Sequence, residues 1–208
     1  MKQTTGDKPT SSSLKGASIG AMICAVFGAA WIFWGVAWSG SHSATWFYTA
    51  DVISVTMIGV AIVGIRKAFR SPSVLENVPS WRPSRGLYWL NTGTEWVLVA
   101  AAAIWLSHMD RSDLIPEVCG LIVGLHFFPL AAIFRVPIYY GTGTVIVIGE
   151  TLSLIMPRGY GRNILGCGAV GLALWATAAV TLTWILKPSR PIDQAARARI
   201  SNWKPKTE

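Results

Sequence analysis

The chain reads as an all-α, polytopic membrane helix bundle with six transmembrane helices and both termini in the cytoplasm. Three observations predict this. The composition is 52% hydrophobic and only 13% charged, against about 25% charged in ordinary soluble domains. The apolar residues fall into runs of roughly 20, the length a helix needs to cross the hydrocarbon of a bilayer. The basic residues are also unevenly shared between the segments joining those runs. If the N-terminus is inside, the inner segments hold 15 of the 18 Lys and Arg, as the positive-inside rule requires. A transmembrane β-barrel would instead show alternating segments of about ten residues, and none is found.

The charge bias also bears on partners. A net charge of +8 in a soluble protein would suggest nucleic acid. Here the one-sided loops account for it, and no nucleic-acid motif accompanies it, so no nucleic-acid partner is expected. The expected location is a cytoplasmic membrane, with the bilayer itself as the main partner.

The elements follow in order. Residues 1–15 are polar and contain Lys2, Asp7, Lys8 and Lys15, which fits a cytoplasmic tail. The six-helix domain then occupies residues 16–186. Its first span, Ala17 to Trp38, carries no charge. Gly20, Cys24 and Gly28 recur every four residues on it, a spacing that lets another helix approach closely. Trp31, Trp34 and Trp38 mark its other end, either as an interfacial belt or as an aromatic wall for a cation.

The second span runs from about Trp46 to Ile65 and contains Asp51. A basic loop follows with Arg66, Lys67, Arg70, Arg82 and Arg85, expected to lie against anionic headgroups. The third span, Leu87 to Ser107, holds Asn91 and Glu95. The fourth, Leu114 to Phe134, holds Glu117, Cys119, His126 and Pro129. Arg135-Val136-Pro137 makes a tight turn into the fifth span, Ile138 to Met156, which contains Glu150. The sixth span, Asn163 to Leu186, is uncharged and rich in Gly. Residues 187–208 form a basic cytoplasmic tail, either a surface amphipathic helix or irregular. Thr92-Gly93-Thr94 recurs as Thr142-Gly143-Thr144, each ahead of a Cys-Gly span. This suggests a duplicated two-helix unit of the kind many transporters use.

The polar residues inside the spans carry the functional question. Ionisable groups in hydrocarbon are costly and mark pathways or sites. With a rise of about 1.5 Å per residue, Glu117 lies about 5 Å and Asp51 about 8 Å from the outer ends of their spans. Glu150 lies about 9 Å in, and His126 and Glu95 both about 18 Å in. Glu95 and His126, level on antiparallel spans, are expected to pair. Glu117 and Asp51 are expected near the surface, Glu117 as a helix-start residue after Pro116. No Lys or Arg is expected deep in a span. Pro129 breaks the hydrogen-bond ladder beside His126 and is the expected hinge.

Catalytic motifs are lacking: no nucleophile elbow, zinc-protease helix, phosphate loop or dinucleotide fingerprint. No His or Cys pair has metal-ligand spacing. Neither an enzyme nor a cofactor or metal protein is expected.

The stretch Gly124-Leu125-His126-Phe127-Phe128-Pro129-Leu130-Ala131, followed by Phe134 to Tyr140, resembles a pattern in small uncharacterised bacterial six-helix membrane proteins. The resemblance covers under 20 residues and implies a bacterial inner membrane, with no activity attached. The leading functional expectation is a transporter or channel-like protein for protons or a small cationic solute. In that scheme Asp51 and Glu117 form an outer vestibule, and Glu150, His126 and Glu95 form a central relay with Asn91 beside it. The alternative is a sensor, assembly factor or complex subunit that docks partner helices through the first span, or a homo-oligomer.

Overall fold

A computed structural model describes residues 11–38, 44–70 and 85–186 of the chain. It holds six long helices: α1 (Ser11–Trp38), α2 (Ala44–Arg70), α3 (Arg85–His108), α4 (Ile115–Phe134), α5 (Ile138–Ile155) and α6 (Tyr160–Leu186). A single 3-10 turn, Ser112–Leu114, leads into α4. There is no strand among the described residues. Five helices are long and apolar enough to cross a membrane. The sixth, α3, is long enough at 24 residues but is diluted by Asn91, Thr92, Thr94 and Glu95. The apolar helical bundle is thus compatible with a multi-pass membrane protein. The expected headgroup contacts of the C-terminal basic tail and of the central part of the basic loop lie outside the described residues.

The core is built by α1, α4, α5 and α6. Small residues on α1 explain its place. A Cβ at Gly28 would sit 2.5 Å from Trp175 Cδ1 and 3.0 Å from the carbonyl of Gly171, so only glycine lets α6 approach there. Trp175 then donates its indole N–H to the carbonyl of Ala25 at 3.2 Å. Cys24 is buried in the same seam, and Gly20 faces the hydroxyl of Tyr139 on α5. The close-packing face of the first span is therefore occupied by the chain's own α5 and α6. α2 packs mainly on α1 and α6, and Lys67 donates to the last described carbonyl of α6, Leu186, at 2.9 Å. A cation there suits the negative end of the helix dipole.

α4 and α5 form a tight hairpin. Arg135 ends α4 in the left-handed region at φ 54°. Its N–H and that of Val136 both return to the carbonyl of Ala131, closing the helix as C-terminal caps do. α4 continues through Pro129 to Phe134. α3 is the least enclosed helix and packs chiefly against α4. It leaves Trp89, Trp96, Val97 and Trp105 exposed on the bundle's exterior, as lipid-facing surface would be.

Candidate functional site: two polar centres on opposite faces of α4

Glu117 and His126 are nine residues apart on α4, or about 2.5 turns, so they point to opposite faces of the helix and are separated by about 14 Å of rise. One face looks into the bundle and the other toward α3.

On the α3 side lies an open cleft of about 200 Å³, lined by Asn91, Thr94, Glu95, Leu98, Ile122, Leu125 and His126. His126 Nδ1 is 2.6 Å from the carbonyl of Val123 one turn back. A carbonyl only accepts, so Nδ1 carries the proton and Nε2 is left as the basic nitrogen of the neutral ring. The Oε1 of Glu95 lies 3.4 Å from the same Nδ1, with the two side chains 16% and 15% exposed. Asn91 reaches the carbonyl of His126 in a long 3.5 Å contact. Phe127 flanks the imidazole at 4.6 Å between ring centroids. The level pairing read from the sequence for Glu95 and His126 is thus present, with Asn91 beside it. Below it, Phe127 and Phe134 on α4 meet Tyr139 of α5 edge-on, and Phe134 meets Tyr88 of α3 in the same way.

The inward face of α4 carries Glu117, Cys119, Gly120, Gly124, Phe127 and Ala131. Glu117 is 1% exposed and accepts a 2.7 Å bond from the Nε of Arg162, itself 5% exposed. Charge-assisted bonds of this length are among the strong ones. Ser153 on α5 donates to the carbonyl of Arg162 at 2.9 Å and lies 3.5 Å from Glu117. Arg162 also approaches Asp113 at 3.8 Å, and Asp113 binds Arg158 at 2.9 Å nearer the surface.

Glu150, one turn before Ser153 on α5, is fully buried at 0% exposure. Neither of its carboxylate oxygens has a hydrogen-bond partner. A Cβ at Gly120 would fall on its Oε1, and one at Gly166 would lie 2.7 Å from its Oε2. The carboxyl is therefore clamped between two glycines, on α4 and α6. Cys119 and Cys167 stand within its electrostatic reach and are free thiols.

These positions correct three expectations. Glu117 is not a wet rim residue: the bundle closes over it and Arg162 neutralises it. No Lys or Arg lies deep in a span among the described residues, yet α6 begins at Tyr160 and buries Arg162 in its first turn. Asp51 does not join Glu117 in a vestibule. It is exposed on α2, a helix that packs mainly on α1 and α6. Nor does Glu150 form a central relay with His126 and Glu95: it lies with Glu117 and Arg162, on the face of α4 turned away from the cleft.

Sequence reasoning missed Arg162. One signal was available: an arginine in the first turn of a helix opposes the helix dipole, so a compensating carboxylate was to be sought nearby. No group of three or more metal-capable side chains occurs among the described residues. Compared with known proteins, the chain matches no family model, no curated protein and no solved structure.

Proposed function

We propose that this chain is a membrane transporter or channel-like protein that handles protons or a small cationic solute at the Glu95–His126 cleft. The observation that carries the reading is the pairing of a carboxylate and an imidazole, 3.4 Å apart, in the wall of an open cleft. Both groups change charge by gaining one proton. His126 retains a basic Nε2, Glu95 supplies negative charge, and Asn91 with Thr94 adds neutral polar contacts. Leu98, Ile122 and Leu125 give the cleft apolar walls, which lower the local dielectric and strengthen the electrostatics beside them. A small cation is recognised by Glu95, and a proton by either group.

The orientation proposed with it puts both termini in the cytoplasm of a bacterial inner membrane, as the Lys and Arg distribution favours. The Ser112–Leu114 turn then lies at the outer end and the Arg135 turn at the inner end.

The test is reconstitution of the full chain in liposomes carrying an internal pH dye. An imposed gradient should drive proton movement or proton-coupled cation uptake. Thr94→Trp, which fills the cleft from its exposed edge, should lower the rate at least tenfold. Wild-type protein without flux or cation binding overturns the reading.

One observation favours a second reading, a subunit or sensor that docks a partner membrane protein or a second copy. α3 leaves Trp89, Trp96 and Trp105 exposed. Crosslinking in native membranes from α3 positions distinguishes the two: a stoichiometric partner, with no solute dependence, favours the subunit.

A further inference from the structure

We propose that Glu150, Glu117 and Arg162 form an enclosed one-proton site in which Glu150 holds the proton and Arg162 decides whether it does so. This deepens the proton reading above and rests on it only for the use to which the proton is put.

The argument is one of charge and space. Two carboxylates and one guanidinium are enclosed together: Glu117 is 1%, Glu150 0% and Arg162 5% exposed. The guanidinium is committed to Glu117 through a 2.7 Å bond. That leaves Glu150 as a second carboxylate with neither oxygen bonded. An ionised carboxylate without partners in an apolar interior is far costlier than a neutral carboxylic acid in the same place. Two carboxylates that share a confined site therefore hold one proton between them. Glu117 cannot be the carrier while Arg162 binds it, so the O–H bond forms on Glu150, with hydronium from the aqueous phase giving up one O–H bond and leaving as water.

The surroundings exclude other ligands. From α4 come Glu117 and Cys119, from α6 Arg162 and Cys167, and from α5 itself the neutral Ser153. No further acidic or basic side chain adjoins Glu150 among the described residues. The glycine clamp leaves no room for a metal ion: Glu150 Oε1 already occupies the place of a Gly120 side chain.

Arg162 is the switching element. One of its terminal nitrogens, Nη2, has no hydrogen-bond partner, and Oε2 of Glu117 has none either. Asp113, 32% exposed, touches Arg162 at 3.8 Å from the surface side. If Glu117 loses its charge, the guanidinium is freed to neutralise Glu150 instead, and the proton leaves.

Infrared difference spectroscopy on the full chain in lipid tests this. The carboxylic-acid C=O band of wild type at neutral pH should contain one component that shifts in heavy water and disappears in Glu150→Gln. It should persist in Glu95→Gln, which alters only the cleft. Glu117→Gln, by releasing Arg162 to Glu150, should remove it as well. Melting curves and circular dichroism verify that each variant folds. The inference is overturned if the wild-type minus Glu150→Gln spectrum shows no carboxylic-acid band, or if the band survives in Glu117→Gln. Proton flux in liposomes is read separately, so loss of the band and loss of flux are distinguishable failures.

Discussion

On the inward face of α4, Glu117 is 1% exposed and bonded to Arg162 at 2.7 Å. On the outward face, Glu95 and His126 meet at 3.4 Å and keep about a sixth of their surface open to a cleft. Both arrangements give a carboxylate a nitrogen partner within the bundle, a guanidinium in one and a neutral imidazole in the other, and they do so under different constraints. The inner one is short, enclosed and built from three helices, so removing a member forces the buried charges that remain to pair anew or to take up a proton. The outer one is longer, and the imidazole already has a bond to Val123, so Glu95 is held loosely and remains available to something that enters. A tight ion pair suits the fold, and a loose pair beside an opening suits exchange with a ligand.

The largest effect is expected from breaking the inner pair. Glu117→Ala removes the carboxylate that buried Arg162 is bonded to, and losing one partner of a buried pair costs about 3–5 kcal/mol, offset in part as Glu150 ionises beside the guanidinium. Thermal unfolding in detergent should show it plainly. The double variant Glu117→Leu with Arg162→Met should recover most of the loss, because apolar pairs of similar volume replace buried ion pairs at little cost. Recovery by the double variant and none by either single one sharpens the contrast; equal stability of all three breaks it.

Next comes the glycine clamp. Gly120→Ala drives a methyl into the carboxyl of Glu150 and should destabilise by about 1–3 kcal/mol, the usual range for overpacking. In a Glu150→Ala background the same substitution should cost much less. A cost unchanged by the background means that α4 and α5 do not meet there.

A smaller effect is expected at the surface end of the inner network. Arg158 is 65% exposed, and exposed ion pairs contribute about 0–1 kcal/mol. Arg158→Ala should leave the melting temperature nearly unchanged and remove what little salt dependence it has. A large shift would mean that Asp113 depends on Arg158 more than on Arg162. The smallest effect on stability is expected in the cleft, where Glu95→Gln keeps the shape of the side chain and one accepting oxygen for His126.

The helical class, the number of long helices and the Glu95–His126 pair were legible because each rests on a local or one-dimensional signal. Span length, apolar runs and depth along antiparallel helices need only the rise per residue. The small-residue row of α1 was legible as a packing face, but not its occupant, since Gly28 meets Trp175 and Gly171 from the far end of the chain. The inner centre was hidden for a similar reason. Its members come from α4, α5 and α6, and depth alone cannot reveal that Glu117 and Glu150 share a face while His126 turns away. The start of α6 decided the rest. Setting the span to begin at Asn163 left Arg162 in a loop, and with it the cation that pairs with Glu117 in the interior. Asp51, at a depth close to that of Glu117, fell apart from it because depth does not say which helices are neighbours.

The central claim is that the loose outer pair works on a ligand while the tight inner pair holds the bundle. Proton flux and melting temperature of wild type and Glu95→Gln, measured on the same proteoliposome preparation, test it most directly. The account predicts at least a tenfold loss of gradient-driven flux in Glu95→Gln, with the melting temperature unchanged. Flux equal to wild type in Glu95→Gln, or loss of flux only in step with unfolding, would contradict it.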